Sequence, residues 1–305
     1  MCKKILVFIL FFSISISSSP VFSNILNDSI SDKVNSKRLK NVLITESAIY
    51  SSLLVSLNSL WYKNYPRSSF HFFNDNSEWL QMDKFGHAFS SYYVGKSGTE
   101  LLRWCGVSDK KALLFGGNLG WLFLSSVEVL DGQSKGWGFS WGDIGANSFG
   151  SFFYIGQELL FNKQLASIKF SYFPSEFAKY KPSVLGSNFH ESLIKDYNAQ
   201  TYWFSISMND LGIKKIPSWL NLALGYGGDG MTGAFKNTIR DNNDNIIPSF
   251  NRTRQYYVSF DIDLNKIKTK NKLLKICFKS IGFIKFPAPT LEITNKNLKF
   301  HSFYF

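Results

Sequence analysis

At 305 residues the chain is long enough for two domains of ordinary size, and its formal net charge of +12 is unevenly carried. Residues 24–160 hold twelve basic and twelve acidic side chains, whereas 161–305 hold twenty and ten. In an exported chain such a basic, aromatic-rich half points to anionic lipid surfaces and not to nucleic acid, and its three cysteines exclude a cystine-stapled scaffold.

The chain opens Met-Cys-Lys-Lys and runs from Ile5 to Ile16 with only Ser13 and Ser15 interrupting apolar residues. Pro20-Val21-Phe22-Ser23 follows, with Val21 and Ser23 at the −3 and −1 positions of a cut after Ser23. A positive start, a short apolar run and such a site make residues 1–23 a secretory signal. An uncleaved anchor is the alternative, but a dozen apolar residues are short of the ~20 that span a bilayer. Cys2 leaves with the signal. Cys105 and Cys277 remain, which allows one disulfide, and no cysteine lies near the cut to be lipidated.

Residues 24–43 are rich in Ser, Asn and Lys and read as a flexible lead-in. A helical bundle is expected over 44–162. Its helices should cover Ile44–Trp61, Met82–Trp104, Lys111–Leu130 and Ser140–Phe161, with polar or glycine-rich breaks at Tyr65–Ser77, Gly106–Asp109 and Gly132–Gly138. Gly116 and Gly120, then Gly142, Ala146 and Gly150, are spaced four apart, which lets helix backbones approach closely in membrane pairs and soluble bundles alike. The stretch 112–130 is nearly long and apolar enough to span, yet Asn118 and Glu128 argue against plain lipid exposure.

Residues 163–305 read as a basic, β-rich region, making the fold class α+β. Candidate strands are Ser167–Phe173, Thr201–Met208, Leu220–Tyr226, Gln255–Leu264 and Leu298–Phe305. In the fourth, Val258, Phe260, Ile262 and Leu264 alternate with Tyr257, Ser259, Asp261 and Asp263. Gly225-Tyr226-Gly227-Gly228-Asp229-Gly230 reads as a turn or loop without the strand–helix context of a phosphate site. Asp196-Tyr197-Asn198 and His190 read as loop residues before a strand. Over 265–284, Lys268, Lys272, Lys275 and Lys279 share one helical stripe, and Leu273, Leu274, Cys277, Phe278 and Ile281 share another. That is a basic amphipathic helix, suited to a membrane surface or to packing on a core with its lysines in water. The closing Phe303-Tyr304-Phe305 resembles the aromatic end of outer-membrane barrel chains, but five strands are too few to close one.

Three polar clusters interrupt the apolar helices. Asp83, Lys84 and His87 share a helix face, and an Asp beside a His fixes the imidazole tautomer for metal binding or general-base work. A plain helix start, with Asp83 favourable to the dipole, is the competing reading. Glu128 and Asp131 lie near a helix C-terminus, where carboxylates are unfavourable unless a cation or solvent compensates. Asp143 fits a capping box with Ser140 as N-cap, which leaves Asn147 unexplained. Together, His87, Glu128, Asp131 and Asp143 could hold a divalent cation such as Mg²⁺, Mn²⁺ or Ca²⁺. Zn²⁺ suits the set less, and His71 is a further recruit.

At these residues the chain resembles the YfiM-like group of predicted periplasmic proteins. The shared pattern is Asp83-Lys84-x-x-His87, Glu128-x-x-Asp131 and Ser140-x-x-Asp143-x-x-x-Asn147-x-x-Gly150, with a tail like Lys195-Asp196-Tyr197-Asn198-x-Gln200-Thr201-Tyr202-Trp203 in longer members. A more distant similarity links the same pattern to VanZ-type membrane proteins. The resemblance implies an envelope location and no established activity. Shorter members look like lipoproteins, and this chain departs from them in having no lipidated Cys. The expected function is that of a membrane-associated envelope protein with a buried polar network including Asn147 and Ser140. A cation-dependent hydrolase or transferase on a lipid or cell-wall substrate is the alternative, with His87, Asp83 and Lys84 as catalytic candidates. A lipid-binding or partner-docking module using Lys268, Lys272, Lys275 and Lys279 is a third reading.

Overall fold

The computed structural model describes residues 33–60, 65–241 and 244–304. The secretory signal expected at 1–23, with its cut after Ser23, lies outside them. The fold is α+β: helices occupy the N-terminal half, and an antiparallel six-stranded sheet occupies the C-terminal region. Two compact units divide the described residues. One contains Ser77–Phe89 and Lys163–Phe305; the other contains the residues up to Asn76 together with Ser90–Asn162.

The helical unit contains α1 (Ser36–Leu60), most of α2 (Met82–Trp104), α3 (Leu119–Asp131) and α4 (Trp141–Phe161). A turn of helix at Asp109–Lys111 and a π-helical turn at Ala112–Gly116 lead into α3. Helix α1 starts at Ser36, inside the expected lead-in, because Asn35 caps it: its side-chain oxygen accepts from Arg38 N at 3.0 Å. The glycine ridge on the third helical segment packs against α2. A Cβ at Gly120 would sit 2.7 Å from Ser91 Cα, and one at Gly116 would sit 2.5 Å from the Gly98 carbonyl carbon. Ser91 Oγ donates to Asn147 O at 2.7 Å, and Trp121 Nε1 donates to Ser148 Oγ at 3.0 Å, so α4 is tied to both neighbours. By length and composition Asp109–Asp131 is long and apolar enough to cross a membrane, although 44% of its apolar 18-residue core is buried within the protein.

The sheet is a meander of β1 (Ala166–Tyr172), β2 (Gln200–Ile206), β3 (Leu220–Asp229), β4 (Thr253–Ile262), β5 (Ala288–Thr294) and β6 (Asn297–Tyr304). The sequence reading lacks β5, because Pro287 and Pro289 flank its start and argue against a ladder. The chain accommodates Pro289 at a register shift between Ala288 and Thr290. The glycines read as a loop at 225–229 belong to β3. Gly225 is there because a Cβ would lie 2.7 Å from the Trp203 ring on the neighbouring strand.

The sheet curls strongly. The Tyr304 ring on β6 lies 6.1 Å from that of Trp203 on β2, and its hydroxyl donates to Tyr257 Oη on β4 at 2.6 Å. On the far edge Phe170 N donates to Phe283 O, and Lys285 N donates to Phe170 O, both at 2.9 Å, so 283–285 covers β1. The basic helix α5 (Lys272–Ile281) is shorter than the expected 265–284. Asn271 caps it by accepting from Leu273 N and Leu274 N, and Gly282 ends it, so Lys268 lies ahead of the helix and not on its stripe. Cys105 and Cys277 are both free, so the disulfide that the sequence allows is not formed.

Candidate functional site

In the sheet-bearing unit the site is built on the first turns of α2. Trp79, Leu80 and Gln81 precede it with φ of 47°, 52° and 67°, three consecutive left-handed residues without a glycine. Such a run costs about 1–2 kcal/mol per residue, so the surroundings must hold it. Trp79 N donates to Ala234 O at 2.9 Å, Tyr226 Oη donates to Leu80 O at 2.5 Å, and Arg254 donates to Gln81 Oε1 at 2.9 Å. This turn aims Asp83 inward, where it is 4% exposed. The buried Tyr197 hydroxyl donates to Asp83 Oδ1 at 2.7 Å, and Lys84 Nζ lies 3.4 Å from Oδ2. Burial alone would raise the Asp83 pKa, but the charges of Lys84 and His87 and the Tyr197 hydrogen bond outweigh it and hold the carboxyl below the usual range. His87 is fully buried one turn further on. The structure therefore joins Asp83 to the Lys195–Trp203 segment through Tyr197, a pairing that spacing could not reveal across 114 residues. Asn198 holds that segment in place: its side chain donates to Met231 O at 2.9 Å and accepts from Met231 N at 2.7 Å.

In the helical unit Glu128, Asp131, Ser140, Asp143 and Asn147 are all buried, none more than 1% exposed. Ser140 caps α4 as expected, its Oγ accepting from Asp143 N at 3.1 Å. The return bond of a capping box is replaced: Ser140 N donates to Glu128 Oε2 at 3.2 Å. Glu128 at the end of α3 thus receives a donor from the start of α4, which offsets its unfavourable place on the helix dipole. Ser140 Oγ also donates to Asp75 Oδ1 at 2.5 Å, bringing in a carboxylate that the sequence reading did not name. His71 serves the loop: its Nδ1 lies 3.2 Å from Ser68 Oγ, and its main chain pairs with Gly132 and Phe139.

The largest departure from expectation lies inside the sheet. Lys169, Asp261 and Lys285 are each no more than 1% exposed, and Lys169 Nζ meets Asp261 Oδ2 at 2.6 Å. Ser205 Oγ and Phe286 N also donate to this carboxylate, at 2.6 and 3.0 Å. Lys285 Nζ donates to Ser259 Oγ at 2.8 Å and lies 4.7 Å from the Trp203 ring centroid. Burial, only partly offset by Asp261, pushes the Lys285 pKa down to about 8. A lysine at the centre of Ala166–Tyr172 was the available signal for this polar interior.

Residues 71–157 match a family described as predicted periplasmic lipoproteins (DUF2279), a stretch that carries the Asp83, Glu128, Asp131, Asp143 and Asn147 positions. No curated protein is matched by the chain, and no solved structure is matched by it. The family match agrees with an exported protein of the cell envelope.

Proposed function

We propose that this protein works at a membrane surface of the cell envelope, with α5 and its lysines as the contact and the buried carboxylates of the helical unit as a structural polar network. The observation that carries this reading is α5 itself. None of its residues is buried; Lys272, Lys275, Leu273 and Leu274 are all exposed, the two leucines by 71% and 45%. A helix that only covered its own core would turn those leucines inward. Lysines near an anionic surface contribute about 1 kcal/mol each. Reversing Lys268, Lys272, Lys275 and Lys279 to Glu should therefore weaken binding to phosphatidylglycerol vesicles by about a hundredfold or more, with binding to neutral vesicles little changed. Undiminished sedimentation of the variant with anionic vesicles would refute the reading.

The burial of Glu128, Asp131 and Asp143 within one unit favours a second reading, a divalent-cation centre serving hydrolysis or transfer. Elemental analysis separates the two. Stoichiometric metal lost in a folded Asp143→Asn protein supports the cation centre; a metal-free, destabilised variant supports the structural network.

A further inference from the structure

The sheet is inside out by the standard of a soluble domain. Around a small, mostly aromatic cluster of Trp203, Ala223 and Tyr257, its inward face carries Lys169, Ser205, Asn221, Ser259, Asp261 and Thr290, none more than 4% exposed. Its outward face carries the apolar set. The strand register lines up Phe204, Leu224, Val258, Leu291 and Phe300 in one row across five strands. Beside it runs the row Tyr202, Tyr226, Tyr256, Ile293 and Leu298. Phe85 stacks on Tyr226 at 4.6 Å and Phe89 packs against Phe170 and Tyr202, so the first turns of α2 cover the β1–β2 end of this face. The rest is open: Tyr256 is 50% exposed, Phe260 52%, Leu298 68% and Phe300 64%.

We infer that this open face sits in the hydrocarbon of one bilayer leaflet. The inference rests on the membrane-surface reading above and adds depth to it. Strands that alternate apolar-out with polar-in are the pattern of sheets bathed in lipid, whereas a soluble sheet buries its apolar side. On β4 the apolar positions run from Tyr256 to Ile262, about 20 Å at ~3.3 Å per residue. At the ~45° tilt of strands in lipid this reaches about 14 Å into the membrane, one leaflet of a ~30 Å core and short of a span. Charges bound the strand at both ends, Arg254 before the band and Asp263 after it. The curl that brings Tyr304 to Trp203 makes the apolar face convex, a shape that fluid acyl chains follow without a matching partner. Charge complementarity points the same way, since α5 enters the sheet just ahead of β5 with lysines suited to anionic headgroups. The helical unit independently exposes Leu114, Phe115, Leu122, Phe152, Leu159 and Leu160.

The test places an environment-sensitive fluorophore on single cysteines in a Cys277→Ser background, at Leu291→Cys and Phe300→Cys on the face and at Lys215→Cys in the β2–β3 loop. Vesicles of phosphatidylethanolamine and phosphatidylglycerol carry doxyl quenchers on their acyl chains. The two face labels should be quenched by the lipid and shielded from aqueous iodide, and the loop label should be neither. A Val258→Lys, Leu291→Lys double variant, whose fold is checked by circular dichroism, should partition about tenfold more weakly or worse. If the protein binds vesicles but the face labels stay open to iodide, the inference falls and the surface reading stands. If it binds no vesicles, both fall. If the labels are already shielded in lipid-free solution at a dimeric mass, a second copy covers the face and the inference is overturned.

Discussion

Replacing Asp261 with Asn leaves two lysines inside the sheet without their carboxylate. Lys169 is 1% exposed and Lys285 is fully buried, so neither can recover its lost partner from water. Lys169 would keep the carbonyl of Ile262, to which it donates at 2.9 Å, and at most a neutral amide oxygen in place of the carboxylate. Breaking a buried pair by removing one member costs about 3–5 kcal/mol, because the remaining charge is uncompensated. Each kcal/mol moves the midpoint of a domain of this size by about 2–4 °C, so Asp261→Asn should melt roughly 6–20 °C lower. The double variant Lys169→Met, Asp261→Leu removes the charge along with its partner. It should recover at least half of that loss, since apolar replacements of a buried pair are often neutral. Thermal melts followed by tryptophan fluorescence report directly, because Trp203 lies under Lys285 at 4.7 Å. A loss below about 1 kcal/mol for Asp261→Asn would refute the reasoning, since only a hydrated interior could screen the stranded lysines so well.

Tyr197→Phe removes the hydrogen bond to Asp83 Oδ1 from a buried carboxylate and should cost about 1.5–3 kcal/mol in denaturant unfolding. Gly120→Ala should destabilise by about 1–3 kcal/mol because its Cβ meets the Ser91 backbone, whereas Gly145→Ala, with open space around it, should stabilise α4 by up to about 1 kcal/mol. For Lys285, whose pKa falls from 10.5 to about 8 on folding, the unfolded chain binds more protons between those values. Stability should therefore rise as pH climbs from about 8 toward 10.5, and Lys285→Met should flatten that rise in melts recorded across the window.

The long helices were legible because their apolar runs and breaks are local. So was the Ser140 cap, which needs only the three residues that follow it. What sequence could not supply was the partner of each polar group. Asp83 and Tyr197 are distant in the chain, and the box expected between Ser140 and Asp143 is half taken over by Glu128 from another helix. Strand β5 was hidden by its prolines, because the register shift that admits Pro289 is a property of the pair β5–β6 and not of β5 alone.

The alternation in β4 shows a subtler limit. Period two tells which residues share a face, and Tyr257, Ser259 and Asp261 do share one. It does not tell which face is buried. A soluble environment assigns the interior to Val258 and Phe260; the curl of the sheet assigns it to the polar set instead. The deciding information lay in Lys169 and Lys285, charges on β1 and on its covering segment that have no stable place beside an apolar interior and find Asp261 only in a polar one. The same choice that gives the lysines a partner turns Val258, Phe260, Leu291 and Phe300 outward. The ion pair at the centre of the sheet and the apolar surface around it are thus two consequences of one register, and a substitution that weakened the first would leave the second without its support.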